Sequence, residues 1–270
     1  MRILKSVILP LLLSLSASAY DIESGRQSGM GGCVLLSTPT ASGFLSCPVA
    51  FLEKKRINVE SGYQRKFELS DLDKIFISGG YRFGNFSTAI GISQFGRKDY
   101  YIEHVVRSAV TYNQDKFAGS AIMSGRLLNI SGALGKLSLS AFSLGLAGGV
   151  HYKKYHLGIV IDNFNQPKLY DTDEKQNILY NIYGEVEGSD RFSITAHLSM
   201  ERYEKPIISI GQYIRLAGQH ALFWGVSNNP LTYGGGVEVH FYDFGLIYAT
   251  SYHPVLGFTH NVSLNYKRGL

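Results

Sequence analysis

The sequence predicts an all-β protein, an antiparallel transmembrane β-barrel of about 14 strands with an N-terminal plug segment. Three observations lead there. From Arg56 onward, segments of about ten residues alternate apolar and polar side chains, the period and length of a tilted strand crossing a bilayer. Every second connection between these segments is tight, as in barrels with short turns on one side of the membrane and longer loops on the other. Beyond the first 20 residues no apolar run approaches the roughly 20 residues that a spanning helix needs, so any crossing falls to strands.

The elements follow in chain order. The opening "MRILKSVILPLLLSLSASAY" has a basic start (Arg2, Lys5), an apolar core (Val7 to Leu15) and a small-residue cleavage site at Ala17-Ser18-Ala19. It reads as a signal peptide over residues 1–19, with Tyr20 as the mature N-terminus. Residues 20–52 are Gly-rich and mildly apolar without strand-length alternation, which suits a plug folded into the lumen or a periplasmic cap. Gly29, Gly31, Gly32 and Pro48 are its candidate gate or plug residues, since glycine accepts backbone conformations that side chains forbid. Cys33 and Cys47 are the only cysteines. In an oxidising compartment they are expected to form a disulfide, and no Cys-x-x-Cys spacing suggests a redox or metal centre.

The barrel itself is expected over residues 53–270. Its strands are placed at 56–67, 73–83, 86–96, 100–112, 117–129, 137–152, 155–162, 178–187, 191–201, 207–216, 220–226, 233–241, 244–252 and 258–267. In "RINVESGYQRKF", Ile57, Val59, Tyr63 and Phe67 share one face while Asn58, Glu60, Gln64 and Lys66 share the other. "RFSITAHLSME" divides likewise into Phe192, Ile194, Ala196, Leu198, Met200 and Ser193, Thr195, His197, Ser199, Glu201. The short turns are Gly84-Asn85, Asn113 to Lys116, Lys153-Lys154, Gly188 to Asp190, Ala217 to Gln219 and Tyr242-Asp243; the longest loop is Asn163 to Asn177. An even strand count puts both barrel ends in the periplasm.

Composition agrees with this and removes other classes. A chain that is 45% hydrophobic and 17% charged, with 30 Gly, 18 Tyr and 15 Phe, suits a sheet that turns often and sets aromatic girdles at two interfaces. The net charge of +5 falls to +3 without Arg2 and Lys5, too little to indicate a nucleic-acid partner. Inward parity falls on Glu60, Glu103, Arg107, Arg126, Glu185, His197, Arg215 and Glu238. Such charges line a selective pore or neutralise one another in a filled barrel, because unpaired charge away from water is costly.

Enzyme chemistry is weighed on the histidines. His260 and Ser263 lie three apart on one strand and point to opposite faces, so they cannot act as base and nucleophile on one surface. His197 and His240 lack a nucleophile and an orienting carboxylate in workable parity. No His/Asp/Glu cluster has metal-ligand spacing, and no phosphate-loop or dinucleotide fingerprint is present. No enzyme activity, cofactor or metal is expected.

Together these residues resemble the FadL-like fourteen-stranded outer-membrane barrels, and within them the PorV-like group associated with type IX secretion. "GRQSGMGGCVLLST" (Gly25 to Thr38) is similar to the family's Gly-rich opening. "YHPVLGFTHNVSLNY" (Tyr252 to Tyr266) is similar to the PorV-like "HP-x-LG-x-TH-x-x-SL" ending, the most specific match. "GVSNNPLTYGGGVEV" (Gly225 to Val239) and "GIVIDNFNQPKL" (Gly158 to Leu169) resemble a family strand and loop. The chain departs from the family at "SCPVAFL" (Ser46 to Leu52), where members have an Asn-Pro-Ala-Gly-like box, and it ends "YKRGL" instead of on an aromatic.

The resemblance implies an outer-membrane location among lipids and two functions. The PorV-like ending implies a non-enzymatic docking or secretion component whose partners are exported proteins, and this is the favoured expectation. The FadL-like resemblance implies the alternative, a transporter of hydrophobic small molecules gated by the N-terminal segment. A purely structural barrel is the third reading.

Overall fold

A computed structural model describes residues 22–50, 52, 56–97, 101–132, 135–168, 175–217 and 220–269. The expected signal peptide and cleavage site lie outside the described residues. Among the described residues no helix is long and apolar enough to cross a membrane. Fourteen strands close into one antiparallel barrel, each paired to its neighbours in sequence.

The strands are β1 (Arg56–Arg65), β2 (Asp73–Phe83), β3 (Phe86–Arg97), β4 (Tyr101–Gln114), β5 (Phe117–Gly132), β6 (Gly135–Tyr152) and β7 (Tyr155–Asp162). The second half comprises β8 (Leu179–Ser189), β9 (Phe192–Glu201), β10 (Ile207–Arg215), β11 (Ala221–Ser227), β12 (Thr232–Phe241), β13 (Phe244–His253) and β14 (Gly257–Gly269). β1 pairs with β14 from Arg56↔Gly269 to Arg65↔His260, which removes both sheet edges.

Strand parity puts the apolar residues outside, against the pattern of a water-soluble sheet. On β2, Ile75 and Ile77 are 50% and 56% exposed, while the flanking Lys74 and Ser78 are 1% and 2% exposed. A surface of isolated, outward Ile, Leu and Val on every strand is stable only where lipid covers it. Aromatic rings gather at both rims. Tyr81, Phe83, Phe86 and Tyr112 stack in series at the short-turn end, and Tyr252, Phe258, His260 and Tyr248 cluster at the loop end.

Three local findings differ from the sequence expectation or explain it. β1 ends at Arg65, which is held to Asp73 at 2.9 Å, so Phe67 leaves the ladder and turns with φ 54°. β5 runs on to Gly132 and β6 begins at Gly135, because their alternation stays in register out to Gly132↔Gly135. The "HPVLG" motif is the last loop-end turn: His253 Nδ1 accepts from the N–H groups of Val255 and Leu256 at 3.1 Å, and Gly257 has φ +90°. The most specific part of the PorV-like likeness therefore encodes a backbone reversal.

Inside the barrel lies the N-terminal segment, with two short helices, α1 (Gly25–Gly29) and α2 (Ala41–Ser46). Ser24 caps α1 by accepting from Gln27 N–H, and Thr40 caps α2 by accepting from Gly43 N–H. The segment is buried along its length and packs in two clusters. Ile22, Val34, Leu36, Phe44, Leu45 and Val49 meet Phe76, Ala89, Ala109, Ile122, Val160 and Tyr183. Met30, Cys33 and Leu35 meet Tyr213, Ala221, Phe223, Ile247 and Ala249 on the other side.

Candidate functional site: the plugged lumen

The lumen wall leaves room for the plug by omitting side chains. A Cβ on Gly225 would overlap the Met30 backbone, and one on Gly234 would stand 2.6 Å from the Gly29 carbonyl oxygen. Gly211 faces Met30 in the same way, so β10, β11 and β12 form a recess in which the turn after α1 is seated. The plug contributes its own glycines. A Cβ on Gly29 would meet the Phe223 ring at 2.5 Å, and Gly31 and Gly32 turn the chain at φ +68° and +91°. These are positions of close contact and chain reversal. Across the lumen, Gly158 admits the Cys47 sulfur and Gly149 admits Val49.

Polar contacts pin the plug. Arg26 of α1 donates to both carboxylate oxygens of Glu238 on β12, at 2.6 and 2.7 Å, and to Thr38 O at 2.9 Å, while lying over the Tyr213 ring. Burial alone would favour a neutral guanidinium. Glu238 more than offsets this and holds Arg26 more firmly protonated than in water. Glu238 also contacts His240 Nε2 at 2.9 Å. Glu185 accepts from the backbone of Leu36 and Ser37 and from the Ser37 hydroxyl, and Glu60 accepts from the backbone and hydroxyl of Ser42. Arg107 donates to Leu45 O at 2.9 Å and to Asp162 on β7 at 3.0 Å. Thr111 donates to Pro48 O at 2.6 Å, and Arg82 to Leu52 O at 3.1 Å.

The remaining sequence-predicted positions fall into place around these. Glu103 and Arg126 pair with each other at 2.7 Å. His197 stacks on Tyr183 with ring centroids 4.3 Å apart and contacts Asn181 at 3.0 Å. Arg215 sits beside Tyr213 near the short-turn end. Glu60, Arg107, Glu185 and Glu238 thus meet the plug, Glu103 and Arg126 meet each other, and His197 and Arg215 rest against residues of the wall. Ser263 points inward and accepts from Gly25 N–H, while His260 faces outward against the Tyr248 hydroxyl, so this pair shares no surface.

The expected disulfide is corrected by the structure. Cys33 and Cys47 are both free thiols. They belong to different apolar clusters, Cys33 beside Thr195 of β9 and Cys47 against Gly158 of β7. Burial pushes both thiols up to about 12.

Sequence reasoning missed Arg26, an isolated cation in a glycine-rich stretch whose partner is 212 residues away. It also missed the pair His151 and His156, whose meeting depends on the β6–β7 register. Among the described residues, no three His, Cys, Asp or Glu side chains converge as metal ligands. On the lipid face of β6 and β7, Leu146, Gly148, Val150, Leu157, Ile159 and Ile161 line an apolar groove of about 300 Å³. It lies outside the stretch of wall where Gly149 and Gly158 touch Val49 and Cys47.

No protein-family model matches the chain, and no curated protein sequence matches it. The structure is similar to the CymD monoaromatic hydrocarbon channel, with a TM-score of 0.68 and 12% identity over 92% of this chain and 97% of that one. It is also similar to the P. putida toluene transporter TodX, with a TM-score of 0.63 and 10% identity over 92% of this chain and 98% of that one. A mutant form of TodX gives a TM-score of 0.67. The FadL-like barrel expected from the sequence is the fold of this chain, whereas none of these likenesses points to the PorV-like group.

Proposed function

We propose that this chain is an outer-membrane channel that admits small hydrophobic molecules, the alternative of the two sequence expectations. The observation that carries the reading is a 14-strand barrel threaded by its own N-terminal segment, similar to two hydrocarbon channels along nearly its whole length. The docking reading rests on the closing motif, which the fold accounts for as a turn.

Energetics limit how the channel works. The plug buries Ile22, Met30, Val34, Leu35, Leu36, Phe44, Leu45, Val49 and Leu52 almost completely. At about 1.5–3 kcal/mol for each such side chain, moving all of them into water would cost on the order of 20 kcal/mol. Expulsion of the whole plug is therefore too slow to serve uptake, and passage proceeds by local rearrangement within a seated plug.

The test is uptake of a radiolabelled monoaromatic hydrocarbon by cells carrying the chain, compared with the same cells lacking it. Saturable, chain-dependent uptake that is changed by deleting residues 25–46 is the expected result. Uptake no different from that of the control cells, together with specific capture of an exported protein at the loop end, would replace the channel reading with docking.

A further inference from the structure

Near the short-turn end, β6 and β7 bring His151 and His156 into register across the Lys153-Lys154 turn, on the inward face. Their Nδ1 atoms stand 2.9 Å apart. Each ring is held from its far side. His151 Nε2 lies 2.7 Å from Val49 O, a carbonyl that can only accept, so this nitrogen carries a proton. His156 Nε2 lies 3.0 Å from a Glu187 carboxylate oxygen and carries a proton for the same reason. A neutral imidazole protonated on Nε2 presents a lone pair on Nδ1. The outer contacts therefore aim two lone pairs at one point, an arrangement that only a cation between them relieves.

We infer that this point is a binding site for a divalent transition-metal ion of the zinc, nickel or copper class, with His151 Nδ1 and His156 Nδ1 as its two protein ligands. Imidazole nitrogen suits these ions, and histidines that bind them characteristically give the other ring N–H to a carboxylate or a backbone carbonyl. Glu187 and Val49 O supply one of each. Bonds of about 2.0–2.1 Å at a tetrahedral angle would separate the two nitrogens by roughly 3.3 Å, so the rings need part by only about 0.4 Å. Water completes the coordination.

Among the described residues, the charged groups near the pair include Glu187 of β8 on one side and Arg82 of β2, which donates to Leu52 O, on the other. The ion's consequence is mechanical. It fixes the ring that binds Val49 O, and with it the Val49 end of the plug. Such an ion would sit there whatever the barrel transports.

The experiment is calorimetric titration of untagged, detergent-solubilised full chain with Zn²⁺ and with Ni²⁺. One saturable ion per chain is expected, lost in His151→Ala and in His156→Ala. Glu187→Gln keeps the ligands and the fold but weakens their support, and should reduce affinity by about 10- to 100-fold. Hydrogen exchange at residues 47–52 should slow when the ion is added to the native chain and stay unchanged in His156→Ala. Absence of saturable binding, or binding that survives both alanine variants, overturns the site. So does a pair that responds to acid alone, which would identify the bridging cation as a proton.

Discussion

Arg26 and Glu238 decide how firmly the plug is held, because each is buried and each is the other's nearest full counter-charge. Their side chains are 6% and 0% exposed. Removing one partner of such a pair strands the other away from water, which costs roughly 3–5 kcal/mol, whereas replacing both with apolar residues of similar volume costs much less. Glu238→Ala should therefore lower stability by that amount in equilibrium unfolding from detergent. Arg26→Met combined with Glu238→Leu should cost less than the two single changes added; strict additivity would show that the pair is not coupled. The two cysteines give a chemical check at the same scale. With both thiols buried and pushed up to about 12, almost no thiolate exists at pH 8.5. An alkylating reagent at that pH should spare both in the folded barrel and label both after denaturation, and a cross-linked Cys33–Cys47 peptide in a non-reduced digest would contradict the structure.

The elements that define the plug's seat are β10, β11 and β12, through glycines that look alike in the sequence and differ in the fold. Gly225 faces inward onto the Met30 backbone, whereas Gly148 of β6 faces outward, where a Cβ would meet nothing within 4 Å. Gly225→Ala overfills a close contact with backbone and should cost about 1–3 kcal/mol. Gly148→Ala fills open space on the lipid face and should change stability by no more than about 0.5 kcal/mol. Thermal unfolding of the two variants beside the parent measures both; equal effects would mean that the turn after α1 does not occupy the recess. The inward and outward parity of these strands is readable from alternation alone. Which inward glycine receives the plug is not, because the contact joins residues some 200 positions apart.

At the scale of the whole molecule, alternating connection lengths orient the barrel. A tag inserted between Asn163 and Asn177 should be labelled on intact cells, while one at Gly188 to Asp190 should be labelled only after the outer membrane is opened. The opposite pattern would invert the barrel and place the His151–His156 pair at the outer surface. Closure of β1 on β14 also fixes the plug's surroundings. The lumen is narrow enough that Glu60, Glu185 and Glu238, on three separated strands, all reach residues of one short stretch, from Arg26 to Ser42.

The sequence by itself determined the barrel, its strand number, the outward apolar face and the inward set of charges. Those properties are local: a period of two, a strand length and a turn residue each act over a few neighbouring positions. Tertiary structure alone decided the partners. Glu238 meets Arg26, His151 meets His156, and Cys33 and Cys47 part company, because each outcome depends on where a non-repeating segment settles inside a closed wall. The expected disulfide failed for that reason, since closeness along the chain says nothing about which side of the lumen a side chain enters. The closing "HPVLG" motif marks the same boundary from the other direction, legible in the sequence because it encodes a turn, and silent about what the lumen carries because a turn is all that its backbone requires.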